Sequence, residues 1–129
     1  MKEFLQKAKQ SSRVVATLST AIKNKTLIEF ADAIEENSCF IIEENIKDMK
    51  LAKHLDLSSA MQDRLYLNDS RIQDMANAIR QIASQTDPVG RVLDGWLTKD
   101  NLNIQKVSIP IGVIAIIYES RPNVTSDTA

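Results

Sequence analysis

At 129 residues the chain can hold one domain of ordinary size with a real core, and 16 basic against 17 acidic residues leave a formal charge of −1. That balance gives no sign of the strongly basic character that nucleic acid or an anionic membrane would call for. A single cysteine, Cys39, rules out an intrachain disulfide and suits a reducing compartment.

The amino terminus alternates charged with apolar residues, unlike the unbroken apolar run of a signal peptide. No apolar stretch approaches the ~20 residues that cross a bilayer. A soluble, cytoplasmic protein with no nucleic-acid or membrane partner is expected. Phe4, Ala8, Ser11, Val15, Leu18 and Ile22 step by three and four along one helical face. Ser19 and Thr20 break that helix, because hydroxyls favour caps over helix interiors. Leu27, Phe30, Ala31 and Ile34 mark a second helix, for which Thr20 is a better start than the capping-box pattern Thr26-Leu-Ile-Glu29. Ser38 is expected to cap a third helical piece through Cys39, Ile41 and Ile42 to about Asn45. Asp48 opens a short helix to about Lys53, and Ser58 or Ser59 another to about Leu65. Asn68 or Asp69 caps the clearest helix, whose buried stripe is Ile72, Met75, Ala76, Ile79, Ile82 and Ala83. Asp87-Pro-Val-Gly90 ends it, since proline disfavours helix at the residue before it.

The texture then switches to period two. Val92 and Leu93 lead into a turn signal at Asp94-Gly95, and Leu102, Asn103, Ile104 and Gln105 alternate. Val107 and Ile109 continue out of phase with Leu102 and Ile104, so a bulge near Lys106 is expected. Pro110 ends that strand. Ile111 to Tyr118 is then almost unbroken apolar and β-branched, at strand length and of the kind that is covered on both faces in a parallel α/β sheet. Glu119, Ser120, Arg121, Pro122 and Asn123 follow abruptly. In open α/β sheets ligands bind beyond the carboxyl ends of strands, where these groups would stand. Two readings are open at this point: a ligand site, or a polar loop that turns the chain into a helix capped by Thr125. The chain stops one turn into that helix, and a doubly covered strand lacks its neighbours, so a piece of a longer protein is expected.

Pro110-Ile-Gly-Val-Ile-Ala-Ile-Ile-Tyr-Glu-Ser-Arg-Pro-Asn-Val-Thr125 resembles the signature segment of the gamma-glutamyl phosphate reductase (glutamate-5-semialdehyde dehydrogenase) family, within the aldehyde dehydrogenase superfamily. Leu57-Ser-Ser-Ala-Met-Gln-Asp-Arg-Leu65 and Asp87-Pro-Val-Gly90 agree with it. The resemblance implies an α/β parent of aldehyde dehydrogenase type, of which residues 1–129 form the amino-terminal part of the cofactor-binding domain. This part would be mostly α-helical, with β-strands in the last third. Residues 1–86 would be helical, 89–109 oligomerisation strands, 111–118 the first central strand, and 119–129 the active-site loop and the start of a helix. The implied reaction is NADPH-dependent reduction of L-glutamyl 5-phosphate to L-glutamate 5-semialdehyde, in proline biosynthesis. Asn123 would donate to the oxyanion, Arg121 would contact an anionic group of the substrate, and Tyr118, Glu119, Ser120 and Pro122 would lie against the cofactor. The superfamily's loop is shorter, and Glu119-Ser-Arg121 replaces its usual residues. No Gly-x-Gly-x-x-Gly follows the strand, which argues against an ordinary Rossmann fingerprint and agrees with this superfamily.

The remaining candidates read as structural. Cys39 lies in a helical region with no basic partner nearby in sequence, and a free cysteine there is more often a small core residue than a nucleophile. By resemblance the nucleophile lies downstream of residue 129, so the 129-residue chain alone is expected to be inactive. His54 has no second ligand at metal spacing and no metal is expected. Trp96 reads as an edge or interface anchor, Glu35-Glu36 and Glu43-Glu44 as solvated helix faces, and Arg64 as the partner of a carboxylate. An apolar strand without neighbours invites pairing with another copy, so a homo-oligomer is expected, with strands or helices exchanged between chains. The rival from another class is a helical interaction module ending in a dimerising β-hairpin, in which the polar cluster at 118–125 would have no purpose.

Overall fold

The computed structural model describes residues 2–128. Its elements are α1 (Lys2–Val15), α2 (Thr20–Glu36), α3 (Ser38–His54), α4 (Ser59–Leu65), α5 (Asp69–Ala83), β1 (Val92–Leu97), β2 (Asn103–Val107) and α6 (Asn123–Asp127). The chain is therefore mostly helical with its strands late, as the fold class required. It divides into two compact units. One holds the residues up to Thr20 with Gln85–Ala115; the other holds Ala21–Ser84 with the residues from Ile116 on.

The second unit carries the core. Ala31 and Ile34 of α2 are buried with Ile72, Ala76 and Ile79 of α5, and Leu27, Phe30, Ile41 and Ile42 pack against them. Most of the expected α5 stripe is covered: Ile72, Ala76, Ile79 and Ala83 are buried, Met75 is half-buried, and Ile82 at the margin is exposed. The caps follow the sequence closely. Ser58 accepts from the Met61 N–H at 3.3 Å and Asn68 from the Arg71 N–H at 2.9 Å, each relieving an orphan donor of a first turn. Thr20 is the first helical residue of α2, while the hydroxyl of Thr26 bonds back to the Ile22 carbonyl and caps nothing.

Two helical expectations need correction. Ser38 does not cap α3; Asn37 holds that position, and its amide donates to the Ala33 carbonyl at 2.7 Å, back into the last turn of α2. The break expected between Asn45 and Asp48 is also absent, and α3 runs unbroken for 17 residues. Asparagine destabilises helix interiors by bonding its own backbone, but the Asn45 side chain is committed elsewhere. It is buried, donates to the Leu65 carbonyl at 2.8 Å and accepts from the Leu67 N–H at 2.7 Å. One side chain thus ties α3 to the segment between α4 and α5.

Arg80 of α5 reaches α2, where it donates to both Glu35 oxygens at 2.7 and 2.6 Å and to Asp32 Oδ1 at 2.6 Å; Gln73 also donates to Glu35. Glu35 is therefore a half-buried, bidentate partner and not the solvated glutamate expected. Sequence spacing could not show this, because the partners are 45 residues apart.

In the first unit, α1 is amphipathic as expected, yet none of its residues is buried and Phe4 stands exposed. Thr20 Oγ1 donates to Asp87 Oδ2 at 3.0 Å, and Asp87 Oδ1 accepts from the Val89 N–H at 3.0 Å, fixing the turn into the hairpin. Gly90 follows at φ +80°, a conformation that suits a residue without a Cβ, and its N–H meets the Ser108 carbonyl at 2.9 Å. β1 and β2 then pair antiparallel, Trp96 facing Ile104 and Gly95 facing Gln105.

Asp94-Gly95 is therefore not the turn. A Cβ on Gly95 would lie 3.3 Å from the Ile104 carbonyl oxygen, so this glycine permits a close approach of the two strands. The chain reverses instead at Thr98–Leu102. There the Thr98 N–H reaches the Leu102 carbonyl at 3.0 Å, Thr98 Oγ1 accepts from the Leu102 N–H at 3.1 Å, and Asn101 takes φ 61°. Asparagine tolerates that left-handed geometry through its short polar side chain. The bulge expected near Lys106 exists, but on the facing strand: Val92 pairs with Val107 and Asp94 with Lys106, so Leu93 is the extra residue.

Residues 111–118, read as a central strand, form no strand in this structure. A strand exists through its ladder, and none of the described residues pairs with this run. Ile117 is 100% exposed and Ile111 85%.

Two outcomes follow from the packing of the second unit. Asn45→Ala leaves the half-buried Leu65 carbonyl and the buried Leu67 N–H without their partner, which should cost about 1–3 kcal/mol in chemical denaturation; an unchanged midpoint would show that water replaces the amide. The bonds from Arg80 are the main cause holding the Glu35 carboxyl below its ordinary value of 4.5, with Gln73 adding to them and partial burial opposing. A depressed folded-state value stabilises the protein above the ordinary carboxylate pKa, and that contribution disappears as pH falls through the folded value. Glu35→Gln should therefore destabilise at neutral pH, and its difference from the unsubstituted protein should close in acid. A difference independent of pH would remove the ionic part of this account.

Candidate functional site

The polar stretch after Tyr118 is shaped by its own backbone. Ser120 takes φ 51°, where an L-residue is uncommon, and Pro122 at φ −59° enters α6 with the angle that its ring imposes. The Arg121 carbonyl accepts from the Val124 N–H at 3.0 Å and the Pro122 carbonyl from the Thr125 N–H at 3.2 Å. Helix α6 therefore begins at Asn123. Thr125, expected as its cap, lies inside it, and its hydroxyl is bonded to the Tyr118 hydroxyl. Ser126 is buried and donates to the Asn123 carbonyl at 2.8 Å. The half-buried Asn123 donates through Nδ2 to Asp127 Oδ2 at 2.9 Å.

Arg121, Asn123 and Asp127 line a cavity of about 420 Å³, completed by Asp63, Arg64, Tyr66 and Leu67 and by Arg71, Asp74, Met75 and Ala78 of α5. Three guanidinium groups and three carboxylates thus meet around one space. Arg71 is committed to structure: it pairs with Asp63 Oδ1 at 2.9 Å, donates to the carbonyls of Asp63 and of Tyr66 (the latter at 2.7 Å), and lies 5.6 Å from the Tyr66 ring centroid. Arg64 and Arg121 make no ion pair among the described residues. Arg64 is therefore not the structural partner of a carboxylate that the sequence suggested; Arg71 has that part.

The structure brings Arg121 and Asn123 to one cavity. It does not bring the other four expected residues to that cavity's lining. Tyr118 and Glu119 are exposed and Ser120 and Pro122 half-buried, all in the approach to α6. The Tyr118 hydroxyl is occupied by Thr125, whereas the backbone groups of Glu119 and Ser120 bond to nothing among the described residues. Tyr66, Asp74 and Asp127 were not singled out from the sequence. The Asn123–Asp127 spacing of four is a helical signal, but it is visible only once α6 starts at Asn123.

Cys39 is exposed on α3, contrary to the expectation of a core residue. The inward contacts of this part of α3 are made by Ile41 and Ile42. His54 is exposed at the end of α3, and Trp96 is exposed on β1. Among the described residues no cluster of His, Cys, Asp or Glu is placed to hold a metal ion, and no helix is long and apolar enough to cross a membrane.

No protein-family model matches the chain. Curated relatives do. A gamma-glutamyl phosphate reductase of Aliarcobacter butzleri is 67% identical over all 129 residues, and one of Nautilia profundicola is 60% identical over the same length. The chain spans 31% of each. Among solved structures, the gamma-glutamyl phosphate reductase of Thermotoga maritima superposes with a TM-score of 0.90 at 40% identity, over 95% of this chain and 30% of that one. That of Saccharomyces cerevisiae gives 0.91 at 30% identity, over 95% and 31%. Over its whole length in sequence, and over 95% of it in fold, the chain is homologous to gamma-glutamyl phosphate reductases and spans about a third of such a protein.

Proposed function

We propose that the protein of which this chain is part carries out NADPH-dependent reduction of L-glutamyl 5-phosphate to L-glutamate 5-semialdehyde, in the cytoplasm, as a step of proline biosynthesis. The observation that carries this reading is identity of up to 67% along the entire chain to proteins of that name. The convergence of Arg121 and Asn123 on one cavity supports it.

Residues 1–129 would be the amino-terminal part of the cofactor-binding domain. The hairpin within 89–109 would join copies of the protein, and 111–118 would become its first central strand once neighbouring strands cover it. Its β-branched, apolar character and its exposure in this chain suit such a place.

Glu119 and Ser120 offer uncommitted backbone groups of the kind that meet ribose hydroxyls, so the segment Tyr118–Pro122 fits the cofactor's sugar better than its charge. NADPH when bound would supply the hydride. Arg121 would hold an anionic group of the substrate with its planar fork. Asn123 would donate an amide N–H to the acyl oxygen as that oxygen gains negative charge, an interaction stronger in the transition state than in the ground state. Cys39 has no basic residue nearby in sequence to activate it and would not be the attacking thiolate. That group would come from a cysteine elsewhere in the protein.

The test uses the full-length protein with glutamyl phosphate generated in place, or with glutamate semialdehyde, phosphate and NADP in reverse. Asn123→Ala should lower kcat by roughly 10²–10³ with KM within a few-fold, and Asn123→Asp should do worse through charge repulsion. Arg121→Ala should raise KM for the substrate and leave KM for the nucleotide nearly unchanged. Loss of melting temperature in Asn123→Ala without loss of kcat per folded molecule would reduce the loop to architecture.

A further inference from the structure

We propose that Asp127 is a positioning residue for Asn123, fixing which way the Asn123 amide faces and so directing one of its N–H bonds into the cavity. The inference rests on the reading of Asn123 as the oxyanion donor, and it adds a group that the resemblance did not supply.

The geometry is specific. Because α6 begins at Asn123, Asp127 stands one turn later on the same face, and Asn123 Nδ2 meets Asp127 Oδ2 at 2.9 Å. Both residues line the cavity together with Arg121. An asparagine side chain has two ends of nearly equal shape, one accepting and one donating. In an unrestrained amide either end could face the substrate, and the accepting end would oppose a developing oxyanion. A carboxylate only accepts. Set against the amide, it selects the donating end, engages one N–H and leaves the second free to donate.

The helical frame holds that choice. The buried Ser126 hydroxyl bonds to the Asn123 carbonyl at 2.8 Å, and the Thr128 N–H bonds to the Val124 carbonyl at 3.2 Å, so Cα of residues 123 and 127 keep a helical separation. The competing account is an ordinary i,i+4 pair that supports a short helix and has no bearing on chemistry.

A double-mutant cycle in the full-length protein separates the accounts, with kcat, KM and melting temperature measured for Asn123→Ala, Asp127→Ala, Asp127→Asn and the doubles. Asp127→Ser, too short to reach the amide, replaces Asp127→Ala should the latter not fold. If Asp127 acts through Asn123, its truncation lowers kcat by up to roughly 10²-fold, the scale of a misplaced catalytic group. KM changes little, and the same truncation has almost no effect in the Asn123→Ala background. Asp127→Asn should recover most of kcat, because its own carbonyl oxygen can accept from Nδ2. A kcat unchanged by Asp127→Ala, or an equal loss in both backgrounds, overturns the positioning role while leaving Asn123 as donor. A kcat unchanged by Asn123→Ala overturns the donor reading itself, and this inference with it.

Discussion

Burial of Ile72, Ala76 and Ile79 against Ala31 and Ile34 fixes the rotation of α5 about its own axis. With those positions turned inward, the helical period places Arg71, Asp74, Met75 and Ala78 along an adjoining strip, and this strip is one wall of the cavity. A helix rolled by one residue would bury a different set and withdraw that wall. The apolar stripe, which has no chemistry of its own, thus decides where the charged groups of the candidate site stand. Arg80 on the same helix reaches Asp32 and Glu35 of α2 and holds the rotation from the polar side.

Polar satisfaction completes what burial begins. The segment between α4 and α5 contributes Tyr66 and Leu67 to the cavity, and its backbone is anchored by Asn45 from one side and by Arg71 from the other. Each donor or acceptor that these side chains meet would otherwise be a backbone group left short of a partner. The charges divide by task. Arg71, Arg80, Glu35 and Asp63 are engaged with one another and with the backbone, while Arg64 and Arg121 face the cavity without a carboxylate partner among the described residues. Guanidinium groups in that state suit an anion, which supports the proposed substrate site over one more structural ion-pair cluster.

The hairpin and the run that follows it obey a different constraint. Trp96, Leu97, Ile111 and Ile117 are all well exposed, in a chain that spans about a third of its relatives. Apolar, β-branched segments of this kind are stable when paired and covered. Their sequence character suits the proposed place among other strands.

The local sequence determined much by itself. Caps at Ser58 and Asn68, the α5 stripe, and the end of that helix with the switch from helical to alternating period after Asp87 all follow from interactions within a few residues. So did the pairing of a strand-length apolar run with the polar loop Glu119–Asn123, on which the family resemblance rests. Tertiary structure decided the rest, and in each instance the deciding partner is distant or depends on an element's boundary. Asn45 left α3 unbroken because its amide is engaged 20 residues away. Glu35 became half-buried through an arginine 45 residues away, and Arg71, not Arg64, pairs with a carboxylate, that of Asp63. Asp94-Gly95 lies within a strand because Ile104 approaches it, and the run 111–118 has no ladder because none of the described residues pairs with it. Asp127 joined the site once α6 began two residues before the expected cap, since only a helix brings residues four apart onto one face.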